Sequence, residues 1–73
     1  MTDIALTLAE KVFTELATAI VRGELRPGER LSEQNLVERY GGSRAPMREA
    51  IQKLEARNLV VRIPHAGARV VSL

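Results

Sequence analysis

Arg44 and Arg48 stand four residues apart, one helical turn, directly after Ser43. A guanidinium fork can grip guanine O6 and N7 together, or the oxygens of a phosphate. Ser43 supplies a hydroxyl that can cap a helix or bind a phosphate. Ala45 supplies a methyl group suited to apolar contact with thymine. Backbone N–H groups at a helix start also favour a phosphate, aided by the helix dipole. Together these residues form a candidate reader of double-stranded nucleic acid. The plainer alternative is a solvated helix face, with Arg48 and Glu49 in surface ion pairs of little worth. A second candidate lies at Pro64-His65-Ala66-Gly67, which has turn composition. At a hairpin tip, His65 and the backbone near Gly67 can approach a minor groove or a phosphate.

Other chemistries lack their residues. His65 is the lone histidine and there is no cysteine, so no metal site can be assembled from these ligand types. Ser32, Ser43 and Ser72 have no nucleophile motif around them. Gly41-Gly42 is too short to cradle a phosphate and reads as a turn. The nine carboxylates are spread along helical faces without metal-ligand spacing. A chain of 73 residues is short for enclosing a substrate pocket. We therefore expect no catalysis, no cofactor and no metal.

The elements that must position the arginines are legible from periodicity. Met47, Ala50, Ile51 and Leu54 fall at i, i+3, i+4 and i+7, an inward stripe, while Arg44, Arg48 and Gln52 form a different one. Pro46 is tolerated only in a first turn, so this helix spans 44–57 and begins just after Ser43. If Ser43 caps it, the acceptor must serve the Ala45 N–H, because Pro46 has none. A first helix is expected over 4–22, with Leu8, Val12, Leu16 and Ile20 on its buried side and Gly23 as its stop. A second helix is expected over 33–40, capped by Ser32, with Leu36, Val37 and Tyr40 on one side. Pro27-Gly28 makes a turn between them, and Leu25 and Leu31 pin it to the core. Strands are expected over 59–63 and 68–72, packed through Leu59, Val61, Ile63 and Val70. The fold class is mostly α with a small β-hairpin, a winged helix-turn-helix of three helices plus a two-stranded wing.

Composition agrees with one small globular unit built from aliphatic residues. Its aromatics are Phe13 and Tyr40 alone, which leaves no stacking platform for single strands or RNA. Net charge is +2, but residues 1–40 balance at −2 and residues 41–73 at +4. The basic half suits a polyanion. No apolar run is long enough to cross a membrane and no secretory start is present, so a cytoplasmic location is expected.

These residues carry a resemblance. The stretch from Gly23 to Glu33, with Leu25, Pro27-Gly28 and Leu31-Ser32-Glu33, resembles the first half of GntR-family regulators. Ser43-Arg44-Ala45-Pro46-Met47-Arg48-Glu49-Ala50 resembles that family's reading-helix signature, and Leu54-Glu55, Leu59-Val60, Gly67 and Val70 continue it. Leu31-Ser32-Glu33 followed by Leu36 most resembles the FadR-like branch, whose sensor is an all-helical C-terminal domain. The resemblance implies a bacterial transcriptional regulator that binds a palindromic double-stranded operator as a homodimer. It implies DNA contacts at Gln34, Ser43, Arg44, Ala45, Pro46 and Arg48, and around His65 to Gly67. It also implies a C-terminal domain that binds a small-molecule effector and forms the dimer. This chain is therefore expected to be a DNA-binding domain alone, monomeric or weakly dimeric. Three positions depart from the pattern. Gly42 stands where valine is usual, which leaves the core short of a small side chain; Ala45 stands where threonine is frequent; Asn58 stands where glycine is usual. The competing reading is a winged helix that docks a protein, marked by an exposed apolar patch on the third helix.

Overall fold

The computed structural model describes residues 7–72, so the first three residues of the expected 4–22 helix lie outside the described part. Three helices and three short strands follow one another: α1 (Leu8–Val21), β1 (Arg30–Leu31), α2 (Glu33–Tyr40), α3 (Arg44–Ala56), β2 (Val60–Ile63) and β3 (Gly67–Val70).

Local chemistry fixes where each helix begins and ends. At α1, the Glu10 N–H donates to the Thr7 hydroxyl at 3.1 Å, and the Thr7 N–H donates to Glu10 Oε1 at 3.0 Å. This reciprocal capping box satisfies two otherwise orphaned donors. The same backbone contact holds the Glu10 carboxyl below the usual carboxylate range, with Lys53 assisting. At the far end of α1, Gly23 N–H bonds to Ile20 O and Glu24 N–H to Ala19 O, the paired bonds of a Schellman stop. The Arg26-to-Glu29 turn closes with Glu29 N–H on Arg26 O at 3.0 Å. Ser32 caps α2 by accepting from the Asn35 N–H at 3.1 Å.

The core is aliphatic and continuous. Val12 and Leu16 of α1, Leu36 of α2, and Met47, Ala50, Ile51 and Leu54 of α3 meet Val60, Ala68 and Val70 of the sheet, with Leu25 and Leu31 closing the connection. Among the described residues no polar or charged side chain is buried. Each fully buried Leu contributes about 1.5–3 kcal/mol by leaving water. That packing holds α3 across α1 and α2, leaving its other face outside.

The sheet differs from the expected two-stranded wing. β1 joins it, giving the order β1-β3-β2, all antiparallel. Two residues are too short a run to show alternation, so turn composition dominates the sequence around them. β2 starts one residue after the expected 59–63, and β3 occupies Gly67–Val70 in place of 68–72. Val61, an expected core residue, is 51% exposed while Val60 is buried. The cause lies upstream. Asn58 adopts φ +61°, Asn58 N–H bonds to Glu55 O, and Leu59 N–H reaches back to Leu54 O. Leu59 therefore belongs to the α3 stop, and strand alternation begins with Val60 facing in, opposite Val70.

Candidate nucleic-acid interface

Ser43 precedes α3 with extended backbone and makes no side-chain cap. The reason is visible by comparison with the other two helices. Thr7 and Ser32 each accept from the third residue of their helix, Glu10 and Asn35. In α3 that residue is Pro46, which carries no N–H. The expected bond to the Ala45 N–H does not form either. The Ser43 hydroxyl and the first N–H groups of α3 are thus left for an external acceptor. The first turn of α3 holds no acidic residue, whereas α1 has Glu10 and α2 has Glu33 there. The positive end of this dipole is uncompensated.

The arginine pair is exposed and held from α2. Arg44 Nη2 donates to Gln34 Oε1 at 2.8 Å, and Gln34 Nε2 donates to Glu38 Oε2 at 3.3 Å. Arg48 Nε donates to Glu33 Oε2 at 3.1 Å, with side-chain exposures of 55% for Arg48 and 26% for Glu33. Arg48 therefore pairs with Glu33, across the helix-helix contact, rather than with Glu49. These contacts orient both guanidiniums without covering them.

Gln34, Arg44, His65 and Gly67 line one open groove of about 480 Å³ between α2, α3 and the β2–β3 turn. Ser43, Ala45 and Arg48 lie exposed beside it on the first turns of α3, and Pro46 is half-buried. His65 sits at the tip with φ +61°. Gly67 has φ +84°, and a Cβ there would collide with the Leu31 carbonyl oxygen and crowd Ser32 Cα at 3.1 Å. Its glycine is required by the close approach of β1 to β3, whatever else its backbone contacts. Arg30 and Arg62 also line the groove; sequence reasoning missed both. Arg62 Nε pairs with Glu55 Oε1 at 3.3 Å. Arg30 had no local signal in the sequence, since β1 is only two residues long and its partner strand is distant.

Gly42, at φ +83°, bears on α3 placement. A Cβ there would meet Leu8 Cδ2 at 2.6 Å. The space that a valine side chain would take is filled from α1 by Leu8.

A helix pair joined by three residues, with the second helix's N-terminus exposed and flanked by a β-hairpin, defines a winged helix-turn-helix. Residues 8–70 match the family described as "Bacterial regulatory proteins, gntR family". The chain belongs to that family, which is one of DNA-binding transcriptional regulators rather than enzymes. It is similar to the HTH-type transcriptional regulator Mce2R of Mycobacterium tuberculosis, at 46% identity over 74% of this chain and 23% of that protein. Among solved structures it resembles a GntR family member from Pseudomonas syringae pv. tomato, with TM-score 0.83 and 38% identity over 90% of this chain and 28% of that one. It also resembles AraR(DBD) in complex with operator ORR3, with TM-score 0.85 and 25% identity over 97% of this chain and 87% of that one. The chain spans roughly a quarter of the length of the curated relatives it matches.

Proposed function

We propose that this chain reads a double-stranded operator by inserting the N-terminal end of α3 into the major groove, with the tip at 64–67 on the minor groove or backbone. Arg44 grips a base edge, Arg48 and the free Ser43 hydroxyl take phosphates, and Ala45 meets a thymine methyl. Gln34 acts through Arg44, which it orients, as well as from its own exposed position. The observation that carries this reading is the uncapped, acid-free start of α3 with two exposed arginines on its first turns. The AraR(DBD) structure, described as a complex with operator ORR3, supports it by likeness. By the same likeness to family members, the intact regulator would be a homodimer on a palindromic site. An effector domain of the FadR-like, all-helical kind and a cytoplasmic location belong to this proposal; no helix among the described residues is long and apolar enough to cross a membrane.

Titration of an operator-containing promoter fragment at several salt concentrations tests the reading. The affinity should fall linearly on a log–log plot, by about 0.9 per phosphate engaged, and exceed that for a scrambled duplex. Binding with no salt slope and no sequence preference would overturn it. Protein docking through α3 is not favoured. The exposed large hydrophobics among the described residues are Val21 and Val61, on α1 and β2.

A further inference from the structure

The outer face of the sheet carries charge that base reading by α3 leaves unused. Arg30 of β1 lies directly opposite Arg69 of β3, and Arg69 lies opposite Val61 of β2. Residues directly opposite point to the same face with close Cβ atoms, and like charges so placed repel. Both arginines are exposed. Among the described residues the ion pairs use Arg48, Lys53 and Arg62, and neither Arg30 nor Arg69 takes part in one. The adjacent carboxylate does not help: Glu29 Oε1 is turned back to accept from the Arg26 N–H at 2.9 Å. Arg30 also lines the groove shared by Arg44 and His65. The groove's charged lining is Arg30, Arg44 and Arg62 with Glu33, so a mainly cationic track runs from the reading helix, across the groove, to β1 and on to Arg69 of β3.

We infer that Arg30 and Arg69 form a second phosphate-binding site, which holds the DNA backbone flanking the bases read by α3. The inference rests on the DNA-binding reading above. A repulsive arginine pair on a free surface is relieved when an anion enters between or beside the forks, and phosphate oxygens match guanidinium geometry. Continuity with the groove points to the same duplex rather than to a separate acidic partner. The site is blind to sequence, because phosphates carry none.

The test compares the wild-type chain with Arg30→Gln/Arg69→Gln by fluorescence anisotropy, on a long duplex and on one trimmed to the recognised bases. On the long duplex the variant should lose affinity equally for operator and scrambled sequences. Its salt slope should fall by about 0.9 for each phosphate no longer engaged. On the trimmed duplex the double variant should lose less, and Arg69→Gln alone, at a residue outside the groove lining, should match the wild type. The variant's thermal midpoint should equal or exceed that of the wild type, since a repulsion is removed. Arg69→Gln alone should lose part of the salt slope on the long duplex and serves if the double variant folds poorly, and Arg30→Lys/Arg69→Lys should restore the wild-type slope. An unchanged slope in the glutamine variant, or an equal loss on both duplexes, would overturn the second site while leaving α3 reading intact. Failure of the wild type itself to bind with a salt slope would instead sink the reading on which it rests.

Discussion

Glu33 and Gln34, adjacent on the first turn of α2, each hold one arginine of α3, at 3.1 Å and 2.8 Å. Their contributions differ in charge. Gln34 orients Arg44 and leaves its charge whole, whereas Glu33 partly neutralises Arg48 and stands close to where phosphates would pass. Glu33→Gln should therefore strengthen binding to random DNA, by up to about 1 kcal/mol for an exposed pair, and lower the operator-to-random ratio. Competition binding with both duplexes checks this; a variant with unchanged random-DNA affinity would show that Glu33 does not restrain Arg48. The arginines themselves were legible, because residue type and four-residue spacing name a helix face. The placements of Glu33 and Arg30 were not, because they depend on partners far along the chain, Arg48 and Arg69, that only the fold brings near.

Helices and sheet were legible to different degrees for a physical reason. α2 begins after its Ser32 cap, and α3 begins so that Pro46 falls in its first turn, since both constraints are local. α1 has a cap at Thr7 that the apolar stripe alone did not reveal. Thr7→Ala should cost about 1 kcal/mol in urea unfolding. Glu10 adds a charge-dependent part. Its carboxyl is held low in the folded state, first by the Thr7 N–H, so its contribution is present at neutral pH and is lost as pH falls through the carboxylate range. Accordingly the wild type should exceed Glu10→Gln in stability at pH 7 and converge with it in acid; a constant gap would contradict the sign. The sheet was read less well, because Leu59-Val60-Val61 is apolar throughout and gives no phase, and because register is set by a distant strand. Gly67→Ala should cost about 1–3 kcal/mol, since both its φ and the Leu31 carbonyl oppose a side chain. Urea unfolding of that variant checks the structural requirement separately from any DNA contact.

At the scale of the molecule, the core stripe and the proposed reading residues lie on different sides of α3, so that stability and recognition should be separable. A single copy offers one short helix end and one small wing, and should bind weakly. Joining two copies by a flexible linker, on DNA with two matched half-sites, should raise affinity by about 10²–10⁴-fold without a new contact. Equal affinity of tethered and untethered proteins on that DNA would argue against a two-half-site operator.

The most direct measurement is a selection from a random DNA pool, run in parallel with the wild-type protein and with Arg44→Ala. The wild type should enrich a defined motif containing guanine, and the variant should lose preference at one guanine, a cost of about 1–3 kcal/mol at that position. The same motif enriched with the same affinity by both proteins would contradict base reading by the start of α3.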